Sequence, residues 1–140
     1  MNKTIRIRNG KKEIFDPIRR QFVAYTPEEA VRQSYIHYLM NVLLIPSIAI
    51  SVERKITYNK LSRRYDIVVF YRDVCLLIVE CKAPSVELSE ETLHQIGIYN
   101  SSLQAKFIVL FNGKQELIYK KINDQYIMQQ HLPAYVEMIN

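Results

Sequence analysis

Asp66, Glu80 and Lys82 are the residues whose types and spacing best support chemistry in this chain. They bracket RYDIVVFYRDVCLLIVECK, from Arg64 to Lys82, where two runs rich in large apolar residues, Ile67–Tyr71 and Val74–Val79, are joined through Arg72-Asp73. The pattern predicts a tight antiparallel hairpin. Neither run has a polar face, so both strands belong in the middle of a sheet covered on both sides. With the turn centred on Asp73, positions summing to about 146 oppose one another, which sets Asp66 across from Glu80. Alternation along the strand then puts Glu80 and Lys82 on one face, and Asp66 joins them.

Two carboxylates and an ammonium gathered at the end of a buried hairpin are costly without compensation, because like charges repel and lose hydration. Lys82 offers one positive charge and a divalent ion would supply the rest. Oxygen ligands of this kind suit Mg²⁺ or Mn²⁺, which bind through one or two carboxylates and complete their shells with water and phosphate. The corresponding reaction class is metal-assisted phosphodiester hydrolysis. The E-x-K spacing alone is weak, since Glu53-Arg54-Lys55 satisfies it equally. Glu53, however, lies in an alternating stretch with a wet face, where an i,i+2 ion pair is the simpler reading. Glu80 ends an apolar run and faces an aspartate.

The elements that must position this trio follow from the rest of the chain. At 140 residues it is expected to be a single domain, residues 1–140, with a basic N-terminal arm over 1–25. Residues 1–20 hold seven basic and two acidic side chains, while the other 120 balance, so the whole net charge of +5 sits at the N-terminus. Such an arm fits a polyanion partner as well as it fits a solvated tail. Arg6, Arg8, Lys11, Lys12, Arg19 and Arg20, with Arg32 beyond the arm, are the candidate phosphate contacts.

Ile5 and Ile7 alternate with arginines ahead of Asn9-Gly10, suggesting an edge strand and a turn, and FDPIRRQFVAY reads as an ordered lead-in with little periodicity. Thr26-Pro27-Glu28-Glu29 opens a helix reaching about Leu43, with Glu29 at the capping-box position. Glu28 has no capping role and is the better candidate to look into a site, although both acids also complement the helix dipole. A strand over 48–58 turns at Asn59-Lys60 into the hairpin. A second helix opens after Ser89 and extends to about Ser101, carrying Gln95 and Tyr99 one turn apart. Strands over 106–111 and 116–122 follow, the first expected to run parallel to an earlier strand because a helix intervenes. A short strand over 126–128 and a terminal helix over 133–139 complete the list.

Several classes are excluded. Gly10, Gly97 and Gly113 fit neither a phosphate loop nor a dinucleotide fingerprint, and His37, His94 and His131 are not spaced as zinc ligands. Cys75 and Cys81 share one strand and read as reduced, buried thiols. No run is long enough for a membrane span and the N-terminus lacks a secretory h-region, so a cytoplasmic location is expected.

Taken together, Phe15-Asp16-Pro17-Ile18-Arg19, Thr26-Pro27-Glu28-Glu29, Val31-Arg32-Gln33, Arg64-Tyr65-Asp66-Ile67-Val68-Val69, Glu80-Cys81-Lys82-Ala83-Pro84, Gln95-Ile96, Tyr99-Asn100 and Asn112-Gly113 resemble the PD-(D/E)xK nuclease superfamily. The nearer resemblance is to the N-terminal nuclease domain of type I restriction enzyme R subunits, in a short stand-alone version. It implies an α/β fold with a restriction-endonuclease-like core, a central mixed β-sheet flanked by helices in the order αβββαβ, and Mg²⁺-dependent DNA cleavage. It further implies Asp66, Glu80 and the Cys81 carbonyl as metal ligands and Lys82 as the residue serving the attacking water. Gln95 and Tyr99 match a Q-x-x-x-Y element, and Glu28 matches the first-helix acid, with Glu29 as the fallback. Tyr65 replaces the signature proline. The resemblance does not extend to a helicase motor, so ATP-driven translocation is not expected of this chain. Implied partners are DNA, a separate motor or specificity subunit, and a second copy. A catalytically silent DNA-binding or motor-docking subunit on the same fold is the alternative function.

Overall fold

The apolar runs on either side of Arg72-Asp73 fold as the two inner strands of a sheet, and the rest of the molecule covers their two faces. The computed structural model describes residues 4–58, 60–99 and 103–140. Its elements are β1 (Ile5–Arg8), β2 (Lys11–Asp16), β3 (Gln21–Ala24), α1 (Pro27–Asn41), β4 (Ile50–Tyr58), β5 (Leu61–Tyr71), β6 (Val74–Cys81), α2 (Glu90–Tyr99), β7 (Phe107–Phe111), β8 (Glu116–Ile122), β9 (Gln125–Gln129) and α3 (Tyr135–Met138). The protein is a mixed α/β fold with one six-stranded sheet in the order β4-β5-β6-β7-β8-β9 and one three-stranded sheet in the order β1-β2-β3. Only β6 and β7 pair in parallel within the larger sheet, as the strand, helix, strand succession through α2 requires.

Both faces of that sheet are dry. On one, Tyr35, Ile36 and Leu39 of α1 pack on Ile67, Val69, Leu77, Val79 and Val109. On the other, Leu93 and Ile96 of α2 pack on Val68, Ile78, Ile108 and Leu110. Thr26 caps α1 as expected, its hydroxyl accepting from the Glu29 amide at 3.0 Å. The helix ends at Asn41, short of the expected Leu43, and the following strand begins at Ile50 after a turn of 3-10 helix over Ser47–Ala49.

The lead-in is more regular than its sequence suggested. Residues 11–24 form the hairpin β2–β3, so the arm is a three-stranded antiparallel meander. Periodicity is hidden there because the strands are short and Asp16, buried completely, makes the turn itself, accepting from the Ile18 and Arg19 amides at 2.7 and 3.0 Å. Phe15 and Phe22 then meet edge to face across the pair, 5.2 Å between centroids.

The register of β5 on β6 fixes the functional end of the sheet. Tyr71 pairs with Val74 and Phe70 with Cys75, but Val69 pairs with Leu77, leaving Leu76 as an extra residue. Leu76 and Leu77 are both buried on the α1 face. Beyond the bulge Ile67 pairs with Val79, and one step further Asp66 stands opposite Glu80. The expected juxtaposition is therefore present, with a tighter turn and an inserted residue together giving the register assigned to the turn alone.

The backbone leaving β6 is held by a neighbouring turn. The Lys82 amide donates to the Phe111 carbonyl at 2.9 Å. Asn112, buried, donates to the Val86 carbonyl at 2.9 Å and accepts from the Lys114 and Gln115 amides at 2.9 and 2.7 Å. Asn112→Ala leaves these backbone groups unsatisfied and is expected to cost about 2 kcal/mol in a urea titration.

Candidate functional site

Asp66 is locked in place at both carboxylate oxygens. Oδ2 accepts from the Cys81 amide at 2.8 Å, across the strand pair, and Oδ1 accepts from Arg32 Nη2 of α1 at 3.0 Å. Glu80, only 8% exposed, hydrogen-bonds to Asp66 and meets Arg63 Nη2 at 3.4 Å. Its pKa is raised from 4.5 to about 8, first by burial and then by the Asp66 carboxylate, against a weaker opposing pull from Arg63. Burial and the adjoining Asp66 carboxylate thus both favour the protonated form of Glu80.

Two arginines stand against this pair in addition to the lysine expected from the sequence. Among the described residues Asp66 pairs with Arg32 and Glu80 with Arg63, while Lys82, half-buried, follows two residues after Glu80 with its backbone fixed on Phe111. Glu28 is exposed on the first turn of α1, and its charge reaches the Cys81 thiol. Burial, and then Asp66, push that thiol well above its ordinary value, so it is a packed, neutral group. Gln95 and Tyr99 lie in α2, but their side chains are outside the described part of the structure.

Glu29 has a larger role than capping. Its carboxylate is buried and accepts from Arg19 Nη2 at 2.8 Å, Arg32 Nη1 at 3.0 Å and Gln33 Nε2 at 3.2 Å. Arg19 also donates to Asp16 Oδ2 at 2.6 Å, and both arginines reach Glu53, at 3.6 and 3.2 Å. Burial disfavours the charge on Arg32, but Glu29, Asp66 and Glu53 outweigh it and raise its pKa. Asp16 behaves in the mirror sense, with burial raising its pKa and the Arg19 and Ile18 hydrogen bonds holding it below the ordinary value.

Arg19 and Arg32, expected as phosphate contacts, are therefore internal ion-pair partners; Arg32 is 5% exposed. Arg8, Lys11, Lys12 and Arg20 are exposed on the meander, and Arg6 is partly covered, paired with Glu13 at 2.8 Å and stacked 3.7 Å from the Phe22 ring centroid.

Glu53, read as a wet-face residue, is exposed as expected and also borders the site through Arg19 and Arg32. The β4–β5 register pairs Val52 with Ile67 and Arg54 with Tyr65, which sets Glu53 opposite Asp66. It adopts a left-handed backbone, φ 52°, and the strand changes face there: Val52 packs on the α1 side and Ile56 on the α2 side. Counting pairs back from Tyr58 opposite Leu61 locates this position.

Two adjoining carboxyl groups are a hard-oxygen donor set that fits Mg²⁺ or Mn²⁺, which need few protein ligands, and no group of three His, Cys, Asp or Glu suited to a metal occurs among the described residues.

A family model described as type I restriction enzyme R protein N terminus matches residues 27–133. The chain belongs to this family. No curated protein matches it. The R-protein N-terminal match takes in α1 through β9 and leaves the meander β1–β3 outside. No helix among the described residues is long and apolar enough to cross a membrane.

The Glu80 shift has a defined sign. Between pH 4.5 and about 8 the native state holds a proton that the unfolded chain has released, so metal-free stability falls as pH rises through that window, by at most about 1.4 kcal/mol per pH unit. Glu80→Gln is expected to flatten this slope and to melt above the parent at pH 8, as thermal melts across the range will show.

Proposed function

We propose that this R-protein N-terminal domain is a metal-dependent deoxyribonuclease of the PD-(D/E)xK type, built on a restriction-endonuclease-like core. The observation that carries the reading is the contact between the Asp66 and Glu80 carboxyls at the end of β5 and β6, with Lys82 two residues on. Family membership supports nuclease chemistry and DNA as the substrate.

In this reading Asp66 and Glu80 hold Mg²⁺ or Mn²⁺, with the Cys81 carbonyl as a further oxygen. A bound ion of this kind would acidify water and offset charge developing on the scissile phosphate. The protein's own groups do the rest. Arg32 and the Cys81 amide hold Asp66 in orientation, Glu80 supplies the second carboxyl, and the Lys82 ammonium steers the attacking water or the phosphate. Gln95 and Tyr99 from α2, and Glu28 from α1, are assigned to the same site by their family positions.

The meander supplies the phosphate contacts. Arg8 and Lys11 are cross-strand partners at the tip of β1–β2, next to Lys12, and such like-charged neighbours repel until an anion sits between them. Contacts of this kind hold DNA without reading its sequence. A motor or specificity subunit and a second copy remain the partners this reading implies.

Purified protein with Mg²⁺ or Mn²⁺ is expected to nick or degrade DNA, and Lys82→Ala to lower the rate by about 10²-fold or more while leaving the melting temperature in place. Equal cleavage by the variant would overturn the assignment of Lys82. Salt-dependent DNA binding without any cleavage would favour the silent DNA-binding subunit. Replacing Arg8 and Lys11 by alanine is expected to flatten the plot of log affinity against log salt by roughly two slope units.

A further inference from the structure

We propose that Arg19 and Arg32 are positioning residues, forming with Asp16 and Glu29 a relay through which the N-terminal meander orients the Asp66 carboxylate. This rests on the reading of Asp66 as a metal ligand and adds to it two residues first read as DNA contacts.

The relay is continuous in hydrogen bonds. Asp16 is fixed by the turn amides of Ile18 and Arg19, and accepts from Arg19 Nε at 2.6 Å. Arg19 Nη2 donates to Glu29 Oε1 at 2.8 Å, the same oxygen accepts from Arg32 Nη1 at 3.0 Å, and Arg32 Nη2 donates to Asp66 Oδ1 at 3.0 Å. Asp16 is fully buried, and Glu29 and Arg32 nearly so, which leaves water little room to replace those three, while Arg19 is partly exposed. Each guanidinium presents a rigid fork, so the direction of one bond dictates the next.

Charge sharpens the dependence. Four acidic side chains, Asp16, Glu29, Glu53 and Asp66, lean on two arginines, among the described residues of this network. Without Arg19, Arg32 is the one arginine of the network left to Glu29 and Glu53, with the Gln33 amide still on Glu29, and Arg32 is drawn away from Asp66. The far end of the relay, Asp16 and Arg19, comes from outside the stretch that matches the family. The meander is thereby a working part of the site as well as a surface for phosphates.

Two readouts test this on the full chain, free of DNA. The Cys81 amide proton reports the Asp66 Oδ2 hydrogen bond by NMR and requires no metal. Arg32→Met and Arg19→Met are both expected to shift it upfield, with Arg19→Lys as the milder variant should Arg19→Met fail to fold. Mn²⁺ affinity by calorimetry is the second. Removing a positive charge would by itself tighten cation binding, whereas loss of positioning weakens it; the relay predicts about tenfold weaker binding for Arg32→Met, a smaller loss in the same direction for Arg19→Met, and partial recovery in Arg32→Lys.

An unmoved Cys81 amide in the Arg19 variants, or Mn²⁺ affinity that rises or stays constant, would reduce the network to a strut between meander and helix and overturn the proposal. If the parent itself binds no Mn²⁺ the metal reading fails, and the amide shift alone then decides the relay. A changed salt slope for DNA in Arg32→Met would instead return Arg32 to the phosphate contacts.

Discussion

Two carboxyl groups pressed together with most of their water removed are the most expensive arrangement in this molecule, and much of the surrounding structure serves to make it tolerable. The pair persists because Glu80 keeps its proton, Arg63 lies beside it, and Asp66 has a donor on each oxygen. Buried charges without such partners cost several kcal/mol each.

The elements around the pair can be ranked by how they contribute. The central hairpin brings the acids together through backbone register alone. Helix α1 contributes Glu29 and Arg32 from its first turns, so the capped end of the helix is aimed at the site and its apolar length at the core. The meander adds Arg19 from a turn that Asp16 makes rigid. Strand β4 gives Glu53 through a left-handed residue that costs on the order of 1–3 kcal/mol, a strain tolerated where two arginines reward it.

What the sequence disclosed followed from strong local rules. Unbroken apolar runs located β5, β6 and β7, Thr26-Pro27 located α1, and the crossover rule supplied the parallel pair. Asp66 opposite Glu80 came out of cross-strand counting because a turn centred on Asp73 absorbs the same one residue that the bulge inserts. The bulge at Leu76 was not legible, since one leucine among many carries no mark of being extra. The roles of Arg19, Glu29 and Arg32 were obscured for a different reason: a basic side chain in a basic N-terminal segment looks like a contact for an external anion, and only tertiary placement reveals internal acids waiting for it. Likewise β2 and β3 are too short for periodicity to register, and Glu53 was discounted by the polarity of its neighbours.

The bulge at Leu76 carries a further consequence. Turn length and inserted residue compensate one another, so neither can vary alone without swinging Glu80 to the opposite side of its strand, away from its aspartate. The fifteen-residue segment Asp66–Glu80 therefore acts as one unit of fixed length. Divergent copies should tolerate exchanges of one greasy side chain for another throughout it, yet reject any change in its length.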